Sequence, residues 1–161
     1  MKKLIVPVAC ALALTACATP THYGPAGSPR AVGYAEQPIE PGRFRVTFRG
    51  GSGAGPQQVS DYALLRAAEL TLANGADWFQ VASRSTDVGP PAGPSFSIGI
   101  GGGSFGRHSG VGGGVETGGG GEATYIATLE IVIGRGPKPD TPDSYDARAV
   151  AGSLRARLPM G

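Results

Sequence analysis

Fifteen of the chain's 28 glycines fall between Gly89 and Gly121. Glycine has no side chain to pack and loses the most backbone entropy on ordering, so this stretch supplies little of a hydrophobic core. Whatever folds must be assembled across it, from sequence on both sides. The chain has 161 residues, and its N-terminal region is rich in proline as well. That leaves about 80–90 residues to pack, enough for one modest core of marginal stability.

The glycine insert contains a literal G-x-G-x-x-G at Gly101, Gly103 and Gly106. A dinucleotide fingerprint needs a strand before it, a helix opening on its last glycine and an acidic residue further on. Here "RHSGVGGG" follows, which cannot open a helix, and no GK[ST] is present for a phosphate loop. No nucleotide cofactor is expected. Two readings of the insert stay open. One is a hairpin extension of weak register, with Phe96, Ile98 and Ile100 alternating with small residues and Val111 with Val115 pairing across a turn at Phe105–Gly110. The other is an interaction loop touching a membrane or another protein.

At the N-terminus, Met1-Lys2-Lys3 is a short positive region and Leu4–Ala13 an apolar one, closed by "LTAC" at 14–17. The apolar run is too short for a membrane span and carries Pro7, so the layout is that of a secretory signal. Leu14, Thr15, Ala16 and Cys17 resemble the bacterial lipobox. The resemblance implies a diacylglycerol thioether on Cys17, cleavage before it and acylation of the new amine. Cys10 would leave with the signal, so no disulfide and no free thiol nucleophile are expected. Each buried methylene contributes about 0.8 kcal/mol, so several acyl chains anchor firmly. The resemblance also implies a sorting rule, by which Ala18 after the cysteine, rather than aspartate, points to the outer membrane.

From Cys17 onward basic and acidic residues balance at 12 each, which gives no general case for nucleic acid. Residues 18–41 hold five prolines and few large apolar side chains, so they read as a solvated tether reaching up to about 75 Å when extended. His22, Tyr23 and Tyr34 lie in it.

Periodicity places the rest. "RFRVTFRG" (43–50) alternates Phe44, Val46 and Phe48 against Arg43, Arg45, Thr47 and Arg49, a half-buried strand. "SDYALLRAAELTLANG" (60–75) predicts a helix capped by Ser60, stapled by Val59 and Leu64 and ended by Gly75, with Leu64, Leu65, Ala68 and Leu72 inward. "DWFQVASRST" (77–86) predicts a strand with Phe79 and Val81 inward and Trp78, Gln80, Ala82 and Arg84 outward. "ATYIATLEIVIG" (123–134) predicts a third. "DSYDARAVAGSLRARL" (143–158) predicts a helix capped by Asp143 or Ser144, with Val150, Leu154 and Leu158 inward. The expected fold is α+β: a β-α-β-β-α domain with a mixed three-stranded sheet, a parallel crossover across the first helix, and both helices on one face. The expected division is signal 1–16, lipidated Cys17 with tether to 41, and a domain over 42–158 interrupted at 89–121.

The chemistry-bearing residues are sparse. His22 and His108 have no partners at metal spacing, and no Ser-His-Asp set falls on rigid elements. Asp140, Asp143 and Asp146 suit a helix N-terminus. No catalytic residue, metal or cofactor is expected, and no enzyme. The candidate surface is the outward sheet face, where Arg43, Arg45, Arg49, Trp78 and Arg84 would present guanidinium donors to an anionic glycan or lipid. Pairing with Glu130 as an ordinary solvated face is the plainer reading of the same row.

"RFRVTFRG", "DYALLRAAELTLANGADWF" and "YDARAV" together resemble a family of small alphaproteobacterial outer-membrane lipoproteins, over 1–17 and 43–150. The resemblance implies an address in the cell envelope, facing the periplasm, and no catalytic residues. The helix–GAD–strand turn is also similar to other small envelope lipoproteins, including stress-sensing ones, which often carry the disulfides this chain cannot form. The expected role is non-enzymatic binding or scaffolding, with an envelope protein, peptidoglycan or lipopolysaccharide as partner.

Overall fold

In the computed structural model, which describes residues 21–90 and 124–160, the order is β1 (Gly33–Glu40), β2 (Arg43–Arg49), α1 (Pro56–Ala73), β3 (Trp78–Gly89), β4 (Thr124–Gly134), β5 (Ser144–Asp146) and α2 (Ala147–Arg157). The signal, Cys17 and residues 91–123 lie outside the described residues, and so do His108 and the G-x-G-x-x-G glycines.

The alternation in β2 and β4 buries Val46, Phe48, Ala127, Leu129 and Ile131, which with Phe79 and Val81 of β3 form one apolar sheet face. Helix α1 closes it with Val59, Tyr62, Ala63, Leu65, Ala67 and Ala68, and α2 adds Ala147, Ala151 and Leu154. Fully burying a Val, Leu, Ile or Phe side chain contributes about 1.5–3 kcal/mol, so this layer is the main favourable term. Phe48 stacks on Tyr62 with ring centroids 4.7 Å apart.

Both helices lie on one face, as expected, but the sheet has five strands in the order β1-β2-β4-β3-β5, and every pair in it is antiparallel. The expected mixed, three-stranded sheet is corrected on both counts. The reason is strand insertion. β2 and β3 do run the same way across α1, but β4 slots between them and pairs antiparallel with each. The crossover is right in direction and leaves no parallel ladder.

Residues read as tether belong to the fold. β1 pairs with β2 from Gly33↔Arg49 to Glu40↔Arg43. Before it, residues 21–32 form a strap over the helix side, held by Tyr34 N–H to Gly24 O and Ala26 N–H to Tyr34 O, both at 2.8 Å. Tyr23 is stacked against Phe48 and Tyr62.

The helix starts move as well. α1 begins at Pro56 behind Gly55, with no side-chain cap, so Ser60 lies inside it. Proline at N1 has the right φ and lacks an N–H that would be unsatisfied there anyway. Leu64 and Leu72 are half-buried at the rim rather than central. α2 is capped by Asp146, whose carboxylate accepts from Ala149 N–H at 2.8 Å, because Ser144–Asp146 extends along β3 instead.

Candidate functional site

The helix-free sheet face is the candidate surface. Pairing across the ladders puts Arg43 beside Val132, Arg45 beside Glu130, Thr47 beside Thr128 and Arg49 beside Ile126. Trp78, Gln80 and Asp87 continue these rows on β3. Four of the five expected residues therefore share this face.

Arg84 does not. A bulge between Val81 and Ser83 leaves Ala82 without a ladder partner, and the alternation restarts one step out of phase. Arg84 thus pairs with Leu129, whose side chain points to the helices. Its guanidinium receives no role on the open face: Nη2 donates to the Tyr145 hydroxyl at 3.1 Å, and Tyr145 stacks on Phe79.

Glu130 organises the arginine row. Its Oε1 accepts from Arg45 Nη2 at 2.7 Å and its Oε2 from Arg43 Nη2 at 3.2 Å. Arg43 also reaches Glu40 at 3.5 Å. Hydrogen bonds from Arg45 and Arg43 hold the Glu130 carboxyl below its ordinary range, against the opposing effect of desolvation. The row is a paired lattice of charge rather than three open guanidinium groups. Pairs this exposed contribute little to stability.

Arg49 is turned to bracing. Its Nη1 donates to Pro90 O at 3.2 Å and Thr124 Oγ1 at 3.3 Å, and Thr124 Oγ1 itself donates to Pro90 O at 2.9 Å. Partial burial, then the neighbouring Arg30 charge, push the Arg49 pKa down. Trp78 lies over Gly134, where an added Cβ would stand 2.1 Å from the indole Cζ2. Its Nε1 donates to Arg135 O at 3.3 Å.

A second cluster went unforeseen, on the helix side. Glu69 receives the Tyr23 hydroxyl at 2.6 Å, Arg66 Nη1 at 3.2 Å and Arg155 Nη2 at 2.7 Å. Arg66 also pairs with Glu36 at 2.7 Å, and its guanidinium lies 4.2 Å over the Tyr34 ring. Burial raises the Glu69 pKa, but the hydrogen bonds from Tyr23, Arg155 and Arg66 outweigh it and leave the group below its usual range. Burial, then the Glu69 contact, push the Tyr23 phenol far above its usual value. This cluster ties the strap, α1 and α2 together. The signal in the sequence was two tyrosines in a stretch otherwise suited to a linker.

At the end of the sheet where β2 begins, an open groove of about 480 Å³ lies between Phe44, Asn74, Ala76 and Ile133. Arg135 flanks it but is engaged with the end of α1, donating from Nε to Gly75 O at 2.9 Å. Among the described residues no group of three or more His, Cys, Asp or Glu could hold a metal ion, and no helix is long and apolar enough to cross a membrane.

The chain matches no protein-family model, no curated protein and no solved structure.

Proposed function

We propose that the chain is a lipid-anchored, non-enzymatic protein of the bacterial cell envelope that works by surface binding or scaffolding. The observation that carries the binding role is the one-sided sheet. Both helices cover a single face, and the other presents Arg43, Glu130 and Arg45 in line beside Trp78. A broad face of fixed, mutually paired charge suits an envelope protein of alternating charge. An anionic glycan or lipid, the second reading, would have to displace Glu130 from both arginines. The anchor is supported by "LTAC" at 14–17, and the outer-membrane address by Ala18 and by the resemblance to alphaproteobacterial lipoproteins.

Mass spectrometry of the membrane-extracted protein, beside a Cys17→Ala control and with the inner and outer membranes separated, tests the anchor. A chain beginning at Cys17 with acyl mass supports it, and an unacylated soluble chain refutes it. Retention of the lipidated protein on isolated peptidoglycan or lipopolysaccharide, with and without Arg45→Glu, separates the two binding readings. Loss of retention with an unchanged circular dichroism spectrum favours the anionic ligand. No retention of either form favours a protein partner.

A further inference from the structure

All the places where the chain enters or leaves the described domain lie at one end of it. Gly51 N–H donates to Thr21 Oγ1 at 2.9 Å, which puts the start of the strap beside the end of β2. Gly50 N–H donates to Tyr125 O at 3.0 Å, which adds the start of β4. Pro90 and Thr124 are joined there, and the Tyr62 hydroxyl reaches Pro159 O, which brings in the C-terminal residues. At the opposite end the described chain is unbroken, and Ile133 N–H bonds to Gly42 O and Asp77 N–H to Gly134 O, both at 2.9 Å.

Only residues 18–20 separate Cys17 from Thr21. Fully extended, that step spans at most about 14 Å. The domain is longer: the 11 residues of β4 alone run about 36 Å from end to end. A lipid on Cys17 would thus hold Thr21 close to the headgroup layer, itself roughly 5–8 Å deep on each side. The far end could reach that layer only if the domain lay flat. The strap packs on the helix side through Tyr23, so the open face is turned away from the attachment. Two exposed apolar side chains, Val88 at 65% and Met160 at 39%, belong to segments that end here.

We propose that this end of the domain, carrying Thr21, Gly51 and the first turn of α1, rests on the phospholipid headgroups of the membrane that holds the anchor. The open face and the groove beside Phe44 then stand clear of the bilayer. The proposal rests on the lipid-anchored reading above. It replaces a domain on a long leash with one standing on the membrane in a fixed orientation.

The test uses the full lipidated protein in phosphatidylethanolamine–phosphatidylglycerol vesicles that carry a nitroxide on the headgroup. A thiol-reactive fluorophore is placed at one exposed position at a time: Gln57→Cys at the strap end, Ser83→Cys on the open face, Lys138→Cys at the far end. Cys17 does not react, because its sulfur carries the lipid. The expected result is quenching several-fold stronger at Gln57 than at the other two. Equal quenching at all three, or strongest quenching at Ser83 or Lys138, overturns the orientation if mass spectrometry of the same sample shows acylated Cys17. An unacylated chain overturns the anchor, and the orientation with it.

Discussion

The Tyr23 hydroxyl donates a 2.6 Å hydrogen bond to Glu69 Oε2, joining residues 46 positions apart. A solvated linker would leave that bond unmade. Tyr23→Phe is therefore expected to lower unfolding stability by about 1–2 kcal/mol, the usual cost of losing a hydrogen bond to a charged group. Tyr23→Ala also removes stacking on Phe48 and Tyr62 and a tilted ring contact with Tyr34, and is expected to cost about 2–4 kcal/mol, since the ring is only partly buried. Urea unfolding followed by circular dichroism measures both. No change in midpoint for Tyr23→Ala would mean that the strap is not docked in solution.

The same pair sets a pH dependence with two limbs. The Glu69 carboxyl titrates lower in the folded chain than in the unfolded one, so its contribution is present above about pH 4.3 and lost as pH falls through the depressed folded value. The Tyr23 phenol titrates higher when folded, so stability falls as pH rises past about 10, where the unfolded chain begins to release that proton. Melting temperature against pH should show both limbs. Glu69→Gln should flatten the acid one, and Tyr23→Phe should weaken the alkaline one. An acid limb of unchanged slope in Glu69→Gln would assign it to other carboxylates.

Gly33 joins strap to sheet at φ +127°, and a Cβ there would stand 2.4 Å from Gly24 O. Both the backbone angle and the contact exclude a side chain, and the obstructing atom is backbone that is itself bonded to Tyr34 N–H. Gly33→Ala is expected to destabilise by about 2–3 kcal/mol. Gly152→Ala is the contrasting case. It lies inside α2 with open space around its Cβ position, and should stabilise by roughly 0.5–1 kcal/mol. Thermal melts of the two variants should move in opposite directions.

What the sequence discloses of this fold follows from how each element meets the core. β2 and β4 alternate buried and outward residues through their middles, β3 does so at Phe79 and Val81, and α1 is apolar at helical spacing, so all four are visible from periodicity. β1 is an edge strand whose sequence, GYAEQPIE, has one buried residue and Pro38, and it reads as linker for that reason. Its pairing is a tertiary fact, supplied by the free edge of β2. β5 is too short to carry any period. The placement of Arg84 depends on a single unpaired residue, Ala82. Alternation cannot register such a residue, because a bulge changes the face without changing the composition. Glu130, by contrast, is opposite Arg45 in the ladder, so its pairing follows from the register alone.

That pairing yields the most direct test of the open face. Glu130 takes one guanidinium on each carboxylate oxygen, so removing its charge takes away the carboxylate that both arginines share and leaves them only their 3.5 Å contacts, Arg43 with Glu40 and Arg45 with Gln37. If the face is an anion-binding surface held in check by Glu130, Glu130→Gln should elute from an immobilised anionic polysaccharide at higher salt than the wild type. Arg45→Ala should elute at lower salt. Adding one positive charge anywhere also strengthens such binding, so the comparison needs Asp140→Asn, which makes the same charge change on an exposed residue outside the strands. A shift in Glu130→Gln well beyond that of Asp140→Asn locates the effect at Arg43 and Arg45. Equal shifts would reduce the row to net charge and leave a protein partner as the reading to pursue.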